Sequence, residues 1–280
     1  MRYFDFHQHL NFGTDIDKYA KEMRKLNMRG AISSIGPAFA QPGNCAVAEA
    51  LKKHPDVVVG LGYIALGRGD TPATVQKLYD RGFRGLKMII PKKNYDDKSY
   101  YPIYKKAQDL NMPILFHTGI MAGTEGMCKN YQHNPEVAAV DHSKMDIASR
   151  RMEPIMLDAV ARAFPKLKIV MAHFTATDRK ESMTGMLMWL PNVYADLTNV
   201  TWYFPRHYTL YMGRLIKELM GKNIPREKLI FGTDTVTSNL EMVLKQRKTV
   251  EKVLKVAQFK KSEIEMIMGG TANKWFGFKD

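Results

Sequence analysis

The sequence has few cysteines and no long apolar run, and both absences narrow the kinds of protein it can be. Its 280 residues include two cysteines, Cys45 and Cys128, too few for a chain of this size to depend on a disulfide framework. No apolar stretch approaches the roughly 20 residues that a membrane-spanning helix needs. The first residues predict a strand and lack the charged and then apolar pattern of a secretory leader. We therefore expect free thiols, no membrane partner and a cytoplasmic location.

Acidic residues are scarce relative to basic ones, with 28 Asp and Glu against 42 Lys and Arg and a formal net charge of +14. The basic residues are dispersed through predicted helices, as in the stretches 18–25 and 245–260, the second of which overlaps a long amphipathic helix predicted over 240–256. They do not form a strip interleaved with aromatic residues, which is a common pattern in nucleic-acid binders. We therefore expect no nucleic-acid partner. A basic surface of this kind favours an anionic small-molecule substrate, which its field would attract.

A glycine-rich phosphate loop is also missing, and this absence bears on the fold. Apolar strand patterns and amphipathic helix patterns alternate from end to end. Eight strands, each followed by a helix, predict an α/β fold of the (β/α)8 TIM-barrel type, with parallel strands, in a single domain of residues 1–280. A doubly wound open sheet is the competing prediction, but Gly60-Leu61-Gly62 lies within a strand and lacks the third glycine of a dinucleotide-binding loop. The predicted strands are 2–10, 30–35, 56–64, 83–90, 113–117, 167–173, 192–197 and 228–233.

Two additions to the barrel are predicted. Residues 118–153 follow the fifth strand, contain several glycines and show no sustained period. Ordered domains rarely carry so long a connection without a use, so this loop is predicted to be a lid or a binding loop. Residues 262–276 predict an extra helix at the C-terminal end.

Polar residues collect at the carboxyl ends of the predicted strands, where barrel enzymes place their active sites. In the first strand, alternation predicts that Asp5, His7 and His9 share one face. Several of the polar residues directly follow apolar runs, and a titratable group buried there needs a partner, because burying an isolated charge costs many kcal/mol. Imidazoles with one carboxylate suit a divalent metal, Zn²⁺ first, with Mn²⁺, Fe²⁺ or Co²⁺ as alternatives. The strand-end residues are His7, His9, Lys87, His117, His173, Asp196 and Asp234.

The motifs that carry these residues resemble the amidohydrolase superfamily across nearly the whole chain. The closest branch is the amidohydrolase-related group that includes aminocarboxymuconate semialdehyde decarboxylase. The first motif, Asp5-Phe6-His7-Gln8-His9-Leu10, is similar to the family's opening Asp-x-His-x-His. The other similar segments are the strand motifs 82–87, 113–119, 164–173 and 231–234 and the closing helix motif 267–273.

This resemblance implies which residues carry the chemistry. It implies one divalent metal bound by His7, His9, His117 and Asp234. It also implies that His173 is an acid/base touching the metal-bound water or the substrate, and that Asp234 relays a proton from that water. Water on such a metal loses a proton near neutral pH and supplies a nucleophile. A homodimer is a possible assembly by the same resemblance.

Three departures from the family pattern leave questions open. The family often has a glycine where Phe174-Thr175 follows the sixth-strand histidine, and the usual proline is absent from Thr235-Val236-Thr237. Lys87 ends the fourth strand, where some superfamily members carbamylate a lysine that bridges two metals. In this branch the expectation is a mononuclear site.

Further residues are candidates for binding the substrate. The two adjacent arginines at the end of the long loop suit a substrate carboxylate, and a solvated basic pair is the alternative. The group after the seventh strand suits a pocket for a flat ring, and a packed loop core is the alternative. The candidate substrate-binding residues are Lys87, Arg150, Arg151, Trp202, Tyr203 and Arg206.

The predicted function is metal-dependent hydrolysis of a small, carboxylated substrate such as an amide or a lactone. The alternative keeps the same site and removes CO2, without an oxidant, from an aromatic or muconate-like carboxylic acid. A third possibility is a metal-stabilised barrel that binds a ligand without catalysis. The sequence leaves the first two open, because they differ in whether water or the substrate carboxylate lies near the metal.

Overall fold

A computed structural model of the chain describes residues 3–39, 41–120, 146–174, 179–198 and 208–278. Within these ranges, nine strands form one parallel sheet. The strands are β1 (Tyr3–His9), β2 (Met28–Ser33), β3 (Val58–Ile64), β4 (Gly85–Met88), β5 (Ile114–Phe116), β6 (Ile169–Met171), β7 (Val193–Asp196), β8 (Leu229–Ile230) and β9 (Thr235–Val236). Their order in the sheet is β8-β7-β6-β5-β4-β3-β2-β1-β9.

Helices connect consecutive strands, as the alternation of sequence patterns predicts. No helix in the described ranges is both long and apolar enough to cross a lipid bilayer. The helices are α1 (Ile16–Lys25), α2 (Asn44–Lys53), α3 (Pro72–Asp80), α4 (Tyr101–Asp109), α5 (Met156–Ala163), α6 (Lys180–Trp189), α7 (Tyr208–Met220), α8 (Leu240–Val256), α9 (Lys261–Glu265) and α10 (Thr271–Trp275).

The sheet closes on itself through the short segment that contains β8 and β9. β8 pairs with β7, and β9 pairs with β1. Between them, the Phe6 N–H donates to the Phe231 carbonyl at 2.9 Å, and the Asp234 N–H donates to the His7 carbonyl at 2.7 Å. The predicted TIM-barrel fold is confirmed, with the eighth strand divided into two pieces that serve opposite neighbours.

Two apolar layers surround the strands. The larger lies between the sheet and the helices, and the smaller fills the inside of the barrel. Because strand side chains alternate between the two faces, Lys87 on β4 shares the inner face with Leu115 and Val170 on the neighbouring strands. The inner layer consists of Phe4, Phe6, Ala31, Val59, Leu61, Leu115, Val170, Ala172, Ile230 and Ala272.

The first strand does not alternate as predicted. A register shift between Asp5 and Gln8 interrupts its pairing with β2, and such a bulge changes the face on which the following residues lie. Phe6 belongs to the inner layer, and the next residue, His7, contacts the inner-face Lys87. Asp5 instead binds the backbone and hydroxyl of Thr233. The prediction that Asp5 shares the face of His7 and His9 was therefore wrong.

The C-terminal helix also differs from its prediction as one helix over 262–276. It is divided into α9 and α10 by a kink over Met266–Gly270. The backbone of Gly269, with φ 171° and ψ −26°, is not helical and breaks the run. The break lets α10 and the residues after it pack against the inner layer, where Phe276 stacks on Phe4 with ring centroids 5.4 Å apart.

Most of the predicted lid, residues 121–145 of 118–153, lies outside the described residues. The described part contains a short 3₁₀ turn over Ser149–Met152. Met152 is buried, and its carbonyl accepts from the Gly119 N–H at 3.2 Å. The two ends of this connection are therefore joined beside β5.

Candidate metal centre

Side chains from the carboxyl ends of β1, β4, β5, β6, β7 and the β8–β9 segment meet inside the barrel. Three of them follow the short buried strands β5, β6 and β8, and the other four lie within β1, β4 and β7, whose residues are mostly buried. The backbone thus aims polar groups at the barrel axis. Each has an atom within 3.2 Å of at least one other member, and the backbone N–H of His173, 2.8 Å from Asp196 Oδ1, joins the His117–His173 pair to the rest. The members are His7, His9, Lys87, His117, His173, Asp196 and Asp234.

Three of these residues, His7, His9 and Asp234, bring candidate metal-ligand atoms to one point, and we call them the metal-ligand group. The Nε2 atoms of His7 and His9 lie 3.2 Å and 2.9 Å from Asp234 Oδ1. One ligand atom from each residue lies within 4.8 Å of the others, which is a spacing that could hold a metal ion. The His7 side chain is 0% exposed, that of His9 10% and that of Asp234 25%. The group is therefore open to solvent on the side of Asp234.

His117, the fourth predicted ligand, lies beside this group but faces His173. Its Nδ1 atom is 3.0 Å from His173 Nε2. Its Nε2 atom is buried and has no hydrogen-bond partner among the described residues. An unpartnered buried imidazole nitrogen next to two imidazoles and a carboxylate is the donor set that a divalent ion such as Zn²⁺ prefers. The residues present therefore suit a metal.

Two members of the set have unusual backbone conformations. His173 has φ 67° and Asp234 has φ 54°, in the left-handed region that non-glycine residues adopt sparingly. His and Asp tolerate this region better than most residues, and such conformations cluster at functional sites. The turn lets each residue leave its short strand and still direct its side chain into the barrel.

A family model for amidohydrolases matches residues 4–278. The chain belongs to the amidohydrolase family. This membership confirms the resemblance predicted from the strand-end motifs, and it agrees with the expectation of an enzyme. No curated protein sequence matches the chain.

Solved structures similar to this amidohydrolase are enzymes of both predicted kinds. A probable 2-pyrone-4,6-dicarboxylic acid hydrolase from Acinetobacter baumannii, with citric acid bound, has a TM-score of 0.64 and 14% identity, over 99% of this chain and 100% of that one. A 2,6-dihydroxybenzoate decarboxylase from Rhizobium has a TM-score of 0.64 and 14% identity, over 99% of each chain. A dihydroxybenzoic acid decarboxylase from Polaromonas sp. JS666, with manganese and 2-nitroresorcinol bound, has a TM-score of 0.60 and 15% identity, over 99% and 97%. At these identities the likeness is one of fold.

The two predicted catalytic residues of this amidohydrolase, His173 and Asp234, have different charges at neutral pH because their surroundings shift their pKa values. Burial lowers the pKa of His173 to about 4, against the opposing charges of Asp234 and Asp196. Burial alone would raise the pKa of Asp234, but the charge of His7 and the hydrogen bond with His9 outweigh it and hold that pKa well below its ordinary value. At neutral pH the site therefore holds a neutral imidazole beside an ionised carboxylate.

Lys87 is a buried cation at the centre of the set. Its side chain extends from β4, the residue is 1% exposed, and Nζ donates to His7 Nε2 at 2.7 Å. Burial lowers the pKa of Lys87 to about 8, although the charges of Asp234 and Asp196 oppose the shift. Because its pKa is close to neutral pH, this amine can donate its proton to a neighbouring group, and in its charged form it can bind an anion.

The other candidate substrate residues of the amidohydrolase lie elsewhere or outside the described ranges. Arg151 pairs with Asp146 Oδ1 at 2.9 Å, and Arg150 is exposed. Neither arginine has a hydrogen bond to the metal-ligand group within the described part of the chain. The remaining three candidates, Trp202, Tyr203 and Arg206, lie outside the described residues.

Sequence reasoning missed two hydroxyl residues of the site. Ser33 Oγ, at the end of β2, lies 3.2 Å from His9 Nδ1. Thr198 Oγ1, two residues after β7, lies 2.7 Å from His173 Nδ1. A position just beyond a strand end was the available signal, but Ser and Thr are too common at such positions for the signal to stand out.

Proposed function

We propose that this amidohydrolase is a metal-dependent hydrolase of a small, carboxylated substrate, such as an amide or a lactone. The observation that carries the proposal is the convergence of His7, His9 and Asp234, with ligand atoms within 4.8 Å of one another. These groups lie at the carboxyl end of a barrel, the usual place of catalysis in this fold. Asp234 is partly exposed, so a substrate has a route to them.

The proposed cofactor is one divalent metal held by His7, His9, His117 and Asp234. Zn²⁺ is the first candidate because imidazoles with one carboxylate suit it, and Mn²⁺, Fe²⁺ and Co²⁺ are the alternatives. The manganese bound in the dihydroxybenzoic acid decarboxylase neighbour supports Mn²⁺ as the first alternative. When bound, such an ion polarises a carbonyl oxygen and lowers the pKa of a nearby water.

Within the chain, Asp234 and His173 are proposed to move the protons of the reaction. Asp234 is ionised, so its carboxylate can accept a proton from the attacking water. His173 is neutral at physiological pH, so its ring can take over that proton, in place of its contact with His117 Nδ1, and donate it to the leaving group. Both residues lie beside the ligand group, within reach of a substrate that enters on the side of Asp234.

Lys87 is the proposed binder of the substrate's anionic group. A lone pair serves one partner, so a metal at His7 Nε2 would release the Lys87 amine from its present contact. The amine would then be available to a carboxylate or to a developing oxyanion. Arg150 and Arg151 are retained as proposed rim contacts for a carboxylate. The aromatic group of Trp202, Tyr203 and Arg206 is retained as a proposed pocket for a flat ring.

A second candidate function is decarboxylation of an aromatic or muconate-like carboxylic acid at the same site. Its specific support is the two benzoate decarboxylases that share this fold over 99% of the chain. In that reaction the substrate carboxylate itself would lie near the metal, and His173, after taking a proton from solvent, would donate it to the ring carbon as CO2 leaves. The ligand group is the same in both reactions.

A substrate panel with two detectors separates these functions. The chain, loaded with Zn²⁺ or with Mn²⁺, is incubated with carboxylated lactones, carboxylated amides and hydroxybenzoic acids. CO2 release and loss of the ester or amide bond are followed together. We expect hydrolysis without CO2 release, and Asp234→Asn should reduce the rate by a factor of at least about 100 if Asp234 accepts the water proton.

Two results would contradict the proposal. CO2 release without hydrolysis would establish the decarboxylase instead. Tight binding of an acid by calorimetry, with no turnover of any compound, would favour the binding barrel.

Location, domain organisation and assembly are also proposed. A single domain over residues 1–280, in the cytoplasm, agrees with the one continuous barrel and with the exposed free thiol of Cys45. A homodimer is the proposed assembly, and light scattering on the purified chain would test it directly.

A further inference from the structure

Asp196 contacts two histidines of the site at once. Its Oδ2 atom is 2.8 Å from His7 Nδ1. Its Oδ1 atom accepts from three donors: the backbone N–H of His173 at 2.8 Å, the hydroxyl of Thr198 at 2.7 Å and the backbone N–H of Thr198 at 3.2 Å. The residue is 0% exposed. Both oxygens of this buried carboxylate therefore have fixed partners.

The proton on the Thr198 hydroxyl determines the tautomer of His173. A hydroxyl carries one proton, and Thr198 donates it to Asp196 Oδ1. Thr198 Oγ1 must therefore accept in its 2.7 Å contact with His173 Nδ1, which places a proton on Nδ1. A neutral imidazole has one N–H, so the Nε2 atom of His173 carries a lone pair.

The same reasoning extends to His117. Its Nδ1 atom lies 3.0 Å from the Nε2 lone pair of His173 and so must carry the proton that joins them. The Nε2 atom of His117 is then left with a lone pair, and it is the atom that has no hydrogen-bond partner in the described part of the chain. The unpartnered atom is thus an acceptor that faces no donor.

The other carboxylate oxygen of Asp196, Oδ2, orients His7. Its Nδ1 atom donates to Asp196 Oδ2, so its Nε2 atom carries the lone pair. Two further groups contact His7 Nε2: Lys87 Nζ, a donor in either protonation state, at 2.7 Å, and the acceptor Asp234 Oδ1 at 3.2 Å. The shorter contact is with the donor, which supports the lone pair on Nε2.

We propose that Asp196, acting with Thr198, is a positioning unit that fixes the tautomers of His7, His173 and His117. His7 and His117 then present Nε2 lone pairs, while the Nε2 lone pair of His173 holds the His117 ring. The proposal rests on the proposed function for its consequence, which is metal binding by His7 and His117. The tautomers themselves exist in the metal-free chain and require no reaction.

The first test is the metal-free wild-type chain, and it needs no variant. Long-range ¹H–¹⁵N correlation spectra of the histidine rings distinguish a protonated Nδ1 from a protonated Nε2. His7→Gln, His117→Gln and His173→Gln assign the signals. We expect Nδ1–H rings for all three residues near pH 7. A proton on Nε2 of His7 or of His173 would overturn the proposal.

Asp196→Asn tests the unit at His7. The amide oxygen should stay with the three donors at the Oδ1 position, so the NH2 group would face His7 Nδ1 and force the proton to Nε2. We expect the His7 ring signals to change tautomer and the affinity for Zn²⁺ alone, by calorimetry, to fall about 10- to 100-fold. An unchanged tautomer with unchanged Zn²⁺ affinity would overturn the proposal.

Thr198→Val and Thr198→Ser test the unit at His173. The valine variant removes the acceptor of His173 Nδ1–H at similar volume, and the serine variant keeps it. We expect the signals of His173 and His117 to change in the valine variant, with His7 unchanged, and wild-type signals for all three in the serine variant. Identical spectra for the valine variant and the wild type would contradict the role of Thr198.

These readouts stay informative if the proposed function fails. A chain that hydrolyses no compound but shows Nδ1–H rings and a Zn²⁺ affinity that depends on Asp196 would keep this inference and remove the other. If Asp196→Asn does not fold, as judged by near-UV circular dichroism, the wild-type spectrum and the Thr198 pair still decide the matter.

Discussion

Gly232 leaves space beside His7 that a side chain would fill. A Cβ atom at this position would lie 2.9 Å from His7 Cβ and 3.0 Å from Thr198 Cγ2. Real Cβ atoms essentially never approach other atoms within 3.0 Å, and neither neighbour is the free end of a flexible chain. The glycine therefore permits a close approach between the strand-end segment and β1.

Gly232→Ala should disturb the site more than the fold. The methyl group would push His7 away from Asp196 and Asp234, and a shift of about 1 Å at a catalytic group can cost about 100-fold in rate. We expect a weaker Zn²⁺ affinity and a kcat/KM lower by that order, measured by calorimetry and by turnover of the best panel substrate. Gly185→Ala on α6 is the matched control, because nothing lies within 4 Å of its added methyl group. Equal Zn²⁺ affinity in both variants would rule out the close approach as a constraint on the site.

Because of Lys228, the free energy of unfolding of the barrel depends on pH in the alkaline range. Its Nζ atom donates to the carbonyls of Leu190 and Val193, and the residue is 8% exposed. Burial lowers the pKa of Lys228 to about 8, although Glu227 opposes the shift, and the ordinary value is 10.5. Between these two values the unfolded chain binds more protons at this position than the folded chain, so stability rises with pH there.

Lys228→Met should remove this contribution. The free energy of unfolding of the wild type, relative to the variant, should increase from pH 8 to pH 10.5 and be constant from pH 6 to pH 7.5. Urea titrations of the two chains at four pH values measure the difference, and other titrating groups cancel because both chains contain them. A constant difference across the whole range would contradict the shifted pKa.

The candidate ligand residues stand out in the sequence because they lie at the carboxyl ends of predicted strands. His117 and Asp234 follow apolar runs, whereas the other two are the paired histidines of the first strand. In the structure three of the four predicted ligands meet, and the fourth lies beside them in contact with His173. Thr198 was not predictable, because its role depends on a hydrogen bond across the barrel end and not on any local pattern.

At the scale of elements, the C-terminal segment closes one end of the barrel with aromatic rings. Phe276 stacks on Phe4 and Phe6 with ring centroids 5.4 Å and 5.9 Å apart. Trp275 meets Phe6 edge-on at 5.7 Å. The chain end thus covers the inner layer at the end of the barrel opposite the metal-ligand group.

A double-mutant cycle on Phe4 and Phe276 measures this contact. Phe4 is fully buried, so Phe4→Ala should lower the free energy of unfolding by about 3–5 kcal/mol. Phe276→Ala alone should cost less, because Phe276 is partly exposed. The coupling between the two should be about 0.5–1.5 kcal/mol, the usual value for an aromatic pair. Additive losses in urea denaturation would show that the rings do not stabilise each other.

The predicted boundaries of helices and strands agree with the structure where the hydrophobic period is clear. They differ where the local backbone geometry departs from a regular helix or strand. Helix α8 spans Leu240–Val256, as its amphipathic pattern predicts. The bulge within β1 and the kink at Met266–Gly270 were not predictable, because neither has a local sequence pattern that specifies it. The bulge matters for function, since it places the adjacent residues Phe6 and His7 on the same inner face.

At the scale of the whole molecule, the site exists only when the barrel is closed. His9 and Asp234 are 225 positions apart in sequence, and their contact forms where β9 pairs with β1. Positive charge dominates the chain at +14, while two carboxylates, Asp196 and Asp234, are ionised within the barrel. A divalent cation bound there would neutralise buried negative charge and would also join the first and last parts of the barrel.

Metal content tests most directly the central claim, which is that the residues at the barrel end bind one divalent ion. The chain is purified without chelators, and divalent metals are counted by elemental analysis, with Zn²⁺ and Mn²⁺ titrations of the stripped chain as the second arm. The account predicts about one divalent ion per wild-type chain and far less in His9→Asn and Asp234→Asn, with both variants folded. No metal in the purified wild type, together with no uptake of either ion, would contradict it.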